Sequence, residues 1–188
     1  MQQVILTNSL NKEETKDNLH GEREADYIFE AYYKRVYNYI YYRVNSHYTT
    51  EDLTSQVFEK ILLKINTYSE KKSPFEVWLF AIARNVVNDY YRSLKIQRVF
   101  SIDTIKELVS KEKTPEEMIV SEEMNDNLLQ TMDVLNKRER NIIALKFGAN
   151  LRNKDIAEIL DITESNVGVI LYRSLKKLKQ QIEREGLI

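Results

Sequence analysis

Asp155 to Ser174, DIAEILDITESNVGVILYRS, reads as two short helices hinged at Leu160–Thr163, and the second of them sorts its residues by face. Val167, Ile170, Leu171, Leu175, Leu178 and Ile182 form one apolar stripe that continues toward the end of the chain. The opposite side presents Ser165, Asn166, Val169, Arg173, Lys176 and Gln180, with Tyr172 and Lys179 at its flank. A hydroxyl and an amide at the start of a helix suit hydrogen bonding to base edges, and a valine suits a thymine methyl. Later cations in such a helix meet phosphates; Arg173, Lys176 and, as a third candidate, Lys177 fill that place. Gly168 carries no side chain and permits close approach of the helix to DNA. The plainer alternative is a helical hairpin whose charged face only meets water. The hinge favours a helix-turn-helix, because Asp161 stands where the turn wants a left-handed residue, which Asp tolerates better than most.

A second stretch, TYSEKKSPFEVWLFAIARNVVNDYYRSLK, mixes aromatics (Tyr68, Phe75, Trp78, Tyr90, Tyr91), amides (Asn85, Asn88) and cations (Lys71, Lys72, Arg84, Arg92, Lys95). Aromatic platforms beside cations suit unstacked single-stranded bases, each stack contributing ~1–3 kcal/mol. Phe75 and Trp78 read as core. Tyr68, at the mouth of a loop, and Asn85, on the helix that follows, are the better base-pocket residues. The seven tyrosines from Tyr27 to Tyr42 read as core and rim packing.

These residues need elements to hold them, and the composition points to helices throughout. Only 4 Gly and 2 Pro in 188 residues leave few tight turns. With no cysteine, thiolate catalysis and disulfides are excluded; two distant histidines, His20 and His47, argue against a histidine metal site, and no cofactor is expected. No apolar run reaches the ~18 residues of a membrane span and no signal peptide opens the chain, so no membrane insertion is expected and a cytoplasmic location is. Net charge is −1, but it divides unevenly: 4 Lys+Arg face 8 Asp+Glu over 96–130, and 11 face 8 over 131–188. The positive excess falls on the helix-turn-helix, an acidic stretch precedes it, and the excess alone is a weak phosphate-binding signal.

Periodicity predicts a helix over 24–44, with Phe29, Tyr32 or Tyr33, Val36, Ile40 and Val44 on one stripe. A second helix opens at TTED, capped by Thr49 or Thr50, with core positions Leu53, Val57, Ile61 and Ile65. A third opens at SPFE, with Ser73 as N-cap and Glu76 reaching back as a capping box. Asn136 and Glu139 have capping-box spacing ahead of a further helix, and Gly148 stands where that helix ends. The expected architecture is all-α: a flexible tail 1–23, a helix bundle 24–95, a flexible acidic linker 96–114, and a second small helical domain 115–188 with the helix-turn-helix at 153–174.

The two halves resemble one family, the bacterial RNA polymerase sigma factors, in their small extracytoplasmic-function (ECF) group of the sigma-70 family. The resemblance is carried by FEAYYKRVYNYIYYRV, TTEDLTSQVFEKIL and SPFEVWLFAIARNVVNDYYR for region 2, and by LNKRERNIIALKFGANLRNKDIAEILDITESNVGVILYRSLKKLK for region 4. It implies a subunit that binds core polymerase, through the β′ clamp helices and the β flap, and directs promoter recognition and melting. It implies polymerase contacts at Asp52, Leu53, Gln56, Val57 and Glu59. For the −10 element it implies a base held by Tyr68, Asn85 and the loop Ser69, Lys71, Lys72 and Ser73, with Arg84, Asn88 and Arg92 near the duplex junction. For the −35 element it implies Asn153, Lys154, Ser165, Asn166, Gly168, Val169, Tyr172, Arg173 and Lys176. An anti-sigma factor is a further partner that the family often uses.

The chain departs from the family's pattern at Gly168 and Ile170, where Arg or Lys is usual, and at Asp161, where Gly is common. Arg152 replaces a capping Ser, which leaves Asn153 as the expected cap. A helix-turn-helix regulator acting without polymerase is the alternative reading; it leaves the aromatic and cationic stretch 68–95 and the acidic linker unexplained. An enzyme would need clustered catalytic residues, and Glu51 and Asp52 read better as helix-start charges.

Overall fold

The computed structural model describes residues 25–100 and 131–185, all-α where it is described, with no strand among those residues. The expected tail 1–23, most of the expected linker and residues 115–130 lie outside the described residues.

Helix α1 covers 25–44 and buries Ile28, Val36, Tyr39, Ile40 and Tyr41. It ends at Asn45, whose φ of 51° is left-handed, a conformation Asn adopts at small cost. Helix α2, His47–Lys64, is capped by Ser46, whose hydroxyl accepts from Thr49 N at 3.4 Å. The cap is thus earlier than Thr49 or Thr50; Thr50 is instead buried and donates its hydroxyl to the Ser46 carbonyl at 2.7 Å. A 3-10 turn, Ile65–Thr67, leads into the loop before α3, Phe75–Phe100. That helix runs five residues past the expected edge at 95. Glu76 is not spent on a capping box: Arg35 of α1 takes its carboxylate at 2.6 and 3.1 Å. Tyr39 meets Phe80 edge-on at 6.0 Å in the middle of the three-helix core.

The second half begins with a 3-10 turn, Met132–Val134. Asn136 then caps α4, Lys137–Ile143, in the expected reciprocal box: its Oδ1 accepts from Arg138 N and Glu139 N, and Glu139 accepts from Asn136 N, each at 3.0 Å. The helix widens into a π turn, Ala144–Gly148. Helices α5, Asn153–Leu160, and α6, Glu164–Glu185, complete the fold.

The two halves pack against each other, and their buried cores are continuous. Polar groups fasten the seam. Arg35 Nε donates to the Ala149 carbonyl at 2.8 Å. The Asn141 carboxamide oxygen, on α4, accepts from the Tyr39 hydroxyl at 3.0 Å and from the Arg43 guanidinium. Arg43 is itself buried, lies over the Tyr91 ring and donates to the Tyr39 hydroxyl at 3.1 Å. Gly148 touches the backbone of α1: a Cβ there would fall 2.9 Å from the carbonyl group of Asn38 and from the Tyr39 Cα. A glycine is required there for close approach.

Candidate nucleic-acid interface

The helix-turn-helix forms through local chemistry. Asp161 adopts the left-handed conformation at φ 53°, ψ 52°, and the Ile162 amide closes the end of α5 on the Ala157 carbonyl at 3.0 Å. Thr163 then caps α6, its hydroxyl accepting from Asn166 N at 3.2 Å. At the other end of α5 the cap differs from expectation. Asp155, 3% exposed, accepts from Arg152 N at 3.2 Å and from its guanidinium at 2.8 and 3.1 Å, whereas the Asn153 Oδ1 is buried without a protein partner. Asn153 therefore does not cap, and Lys154 beside it is exposed.

On α6, Val167, Leu171, Ser174 and Leu178 face inward. Ser165, Asn166, Val169, Tyr172, Arg173 and Lys176 are all exposed, Tyr172 at 71%. Leu175, expected in the core, is 44% exposed, and Ser174 takes the buried position instead. Lys177 is not free for a phosphate. Its ammonium grips Glu139 at 2.7 and 2.9 Å, tying α6 to α4. Burial works to raise the Glu139 carboxyl, but Lys177 and the Asn136 amide outweigh it and hold the group below the usual carboxylate range. Gly168 stands within this helix with open space around its missing side chain; a helix-interior glycine costs ~1 kcal/mol relative to alanine.

In the first half, Tyr68 stacks edge-on with Phe75 at 5.2 Å and lies 5.4 Å from Trp78, all three partly exposed. Ser69 and Ser73 are partly exposed in the loop between, Lys71 and Lys72 are exposed, and Lys72 N closes the turn on the Ser69 carbonyl at 2.9 Å. Trp78 precedes Asn85 by seven residues and Arg92 by fourteen, so at ~3.6 residues per turn the three share one line along α3. Asn85 and Arg92 are exposed on it and Asn88 is partly so. Arg92 pairs with Asp89 at 2.7 Å, a surface pair that a phosphate can displace. Trp78 packs against the core as expected, and its partly open side also borders Tyr68. Arg84 departs from the group: it points to the other half, donating to the Ile159 carbonyl of α5 at 3.3 Å.

The third surface is on α2. Asp52, Gln56 and Glu59 are exposed, with Gln56 donating to Asp52 at 2.8 Å. Leu53 and Val57, expected as partner contacts, are 2% and 0% exposed and belong to the core with Ile61. Apolar groups that do face outward near the end of this helix are Leu62 and Leu63, the latter 75% exposed, and Leu63 continues the line of Asp52, Gln56 and Glu59.

Two family models match the chain in this order, Sigma-70 region 2 over residues 28–96 and Sigma-70 region 4 over residues 125–178. It belongs to the sigma-70 family. Its similarity places this sigma factor in the ECF group. It is 30% identical to the ECF RNA polymerase sigma factor BldN of Streptomyces coelicolor over 84% of the chain, which spans 60% of BldN. To SigX of Bacillus subtilis it is 28% identical, covering 89% of each chain, and to SigM of the same organism 28%, over 85% of this chain and 95% of SigM. In fold the sigma factor is similar to RpoE of Bartonella quintana, solved with the anti-sigma factor NepR, with a TM-score of 0.68 at 16% identity over 86% of this chain and 98% of that one. CnrH, solved with the cytosolic domain of CnrY, gives 0.65 at 15% identity over 87% and 90%. Among the described residues no helix is long and apolar enough to cross a membrane.

Proposed function

We propose that this sigma factor directs core RNA polymerase to promoters through three separate surfaces of one chain. The exposed face of α2, at Asp52, Gln56, Glu59 and Leu63, docks on the polymerase clamp, with region 4 reaching the flap. The platform of Tyr68 and Trp78, with Asn85, Asn88, Arg92 and the loop Ser69, Lys71, Lys72 and Ser73, captures an unstacked base of the −10 element. The outer face of α6, with Ser165, Asn166, Val169, Tyr172, Arg173 and Lys176, reads the −35 element, assisted by Lys154. The observation that carries this reading is the pairing of a partly open aromatic platform with a helix-turn-helix in one chain. A regulator acting without polymerase has no use for the first. Sigma factors work as initiation factors, and we read this chain likewise as a non-enzymatic subunit acting in the cytoplasm. An anti-sigma factor is a candidate partner, as RpoE was solved with the anti-sigma factor NepR.

The −10 and −35 elements are 25 base pairs apart by their numbering, about 85 Å at ~3.4 Å per pair. A folded chain of this length has a radius of gyration of only ~16 Å. The seam between the halves must therefore part before both elements are held, and Arg84 becomes available for DNA as it does so.

Run-off transcription tests the reading: core polymerase with this protein initiates at a defined promoter, and no initiation on any genomic template overturns it. Asn85→Ala is expected to weaken open-complex formation by about 3- to 10-fold, the loss of one hydrogen bond, with polymerase binding unchanged. Loss of both together removes Asn85 from the base pocket. Replacing Arg173 and Lys176 by Ala is expected to weaken holoenzyme binding evenly across −35 sequences. The slope of log affinity against log salt then falls by about 2. A changed base preference instead makes one of them a base reader.

A further inference from the structure

Gly168 lies in the second turn of α6, where nothing inside the protein asks for a glycine. Apart from its chain neighbours and the backbone of its own helix, nothing lies within 4 Å of the position its Cβ would take, so packing leaves room for any small side chain. Its backbone is helical, and the residues with left-handed φ are elsewhere, at Asn45, Asn150 and Asp161. Glycine weakens a helix at such a place. Internally it is a loss with no return.

Its surroundings are not neutral. At ~100° per residue Gly168 falls at the edge of the outer face, between Tyr172 and Leu175 one turn on and behind Ser165. Tyr172 is 71% and Leu175 44% exposed, and Val169 beside the glycine is 44% exposed. Long helical side chains lean toward the helix N-terminus, so Tyr172 and Leu175 border the bare turn without filling it. The result is a notch with backbone for a floor and an apolar rim, on a helix whose neighbouring side chains are polar or cationic.

We propose that Gly168 is the point of closest approach between this sigma factor and the −35 duplex, and that the notch takes a deoxyribose of the groove wall. This rests on the reading of α6 as the −35 helix. Residues at the centre of the outer face near the start of the helix, Ser165 and Val169, point into the groove, and an edge position meets its wall. The sugar has an apolar face that suits bare backbone and the Tyr172 ring. Contact there holds the helix deeper in the groove without reading a base, so Gly168 sets groove fit, a form of shape readout.

The test is Gly168→Ala in the full chain, assembled with core polymerase and assayed on a promoter mapped with this sigma factor, on the same promoter with the −35 element scrambled, and on single-base −35 variants. Alanine is expected to raise the thermal midpoint of the free protein and yet lower affinity for the intact promoter about ten-fold. That loss is expected to be equal across the single-base variants and absent on the scrambled promoter. An affinity equal to wild type overturns the proposal, as does a loss confined to one base position, which would put a base edge at the notch. If wild-type binding itself ignores the −35 element, the reading of α6 fails and the proposal with it, a result distinct from either.

Discussion

Gly148→Ala is expected to spread the two halves of the chain apart without removing a single polar contact. The added methyl meets three backbone atoms of Asn38 and Tyr39 at 2.9 Å, and backbone in the middle of a packed helix does not swing aside. Overpacking of this kind costs ~1–3 kcal/mol, a shift of about 5- to 150-fold in the ratio of closed to open forms. The measurement suits this protein, because it has no native cysteine. Labels placed by Ser55→Cys on α2 and Gln180→Cys on α6, both exposed positions, report the separation of the halves by energy transfer. Transfer efficiency falls in the variant, and assembly with core polymerase becomes faster, since part of the opening has been done in advance. Unchanged transfer would mean that the seam absorbs the methyl and does not depend on this approach.

Asn141→Ala attacks the same seam from its polar side. One carboxamide oxygen serves both the Tyr39 hydroxyl and the Arg43 guanidinium, in a place from which water is excluded. Removing it leaves the Tyr39 hydroxyl proton without its acceptor and takes one acceptor from the buried Arg43, which keeps the Tyr39 hydroxyl and the Tyr91 ring. A neutral donor left unsatisfied costs ~1–3 kcal/mol, and a lost hydrogen bond to a charged group adds ~1.5–3 kcal/mol. The chain's least expensive response is to open and let both groups hydrate, so the loss of energy transfer should exceed that of Gly148→Ala. The double variant should add little to Asn141→Ala alone, because an open seam feels neither change. Full additivity would place Asn141 in the stability of α4 itself rather than in the contact between the halves.

Where the sequence was legible, the signals were local. The Asn136–Glu139 box is a spacing of three residues, and the left-handed Asp161 is a single residue at a hinge; the structure forms both. The family and the all-helical class were legible for the same reason, through contiguous motifs and a shortage of turn formers. Errors arose where a residue's type spoke for one face and its packing for another. Periodicity set Leu53 and Val57 in the core of α2, and they are buried there; the family resemblance had also turned them toward a partner. Leu175 and Ser174 exchanged places for a similar reason: apolarity predicted the core, and helix geometry put the smaller residue there. The seam had no local signature at all. Arg35 and Ala149 are 114 residues apart, and Tyr39 and Asn141 are 102.

The chemistry of that seam decides what the chain presents to its surroundings once the halves separate. The hydrogen-bonding groups released are two guanidiniums on α1, a third on α3, a phenol, an amide and two backbone carbonyls. Water satisfies every one of them. A seam of the same extent fastened by leucines alone would leave a sticky apolar patch on each half, and such patches drive association with whatever protein is nearby. The apolar core that runs across the seam is exposed with these groups and favours closing again, while the solvatable fastenings keep part of each exposed face wet.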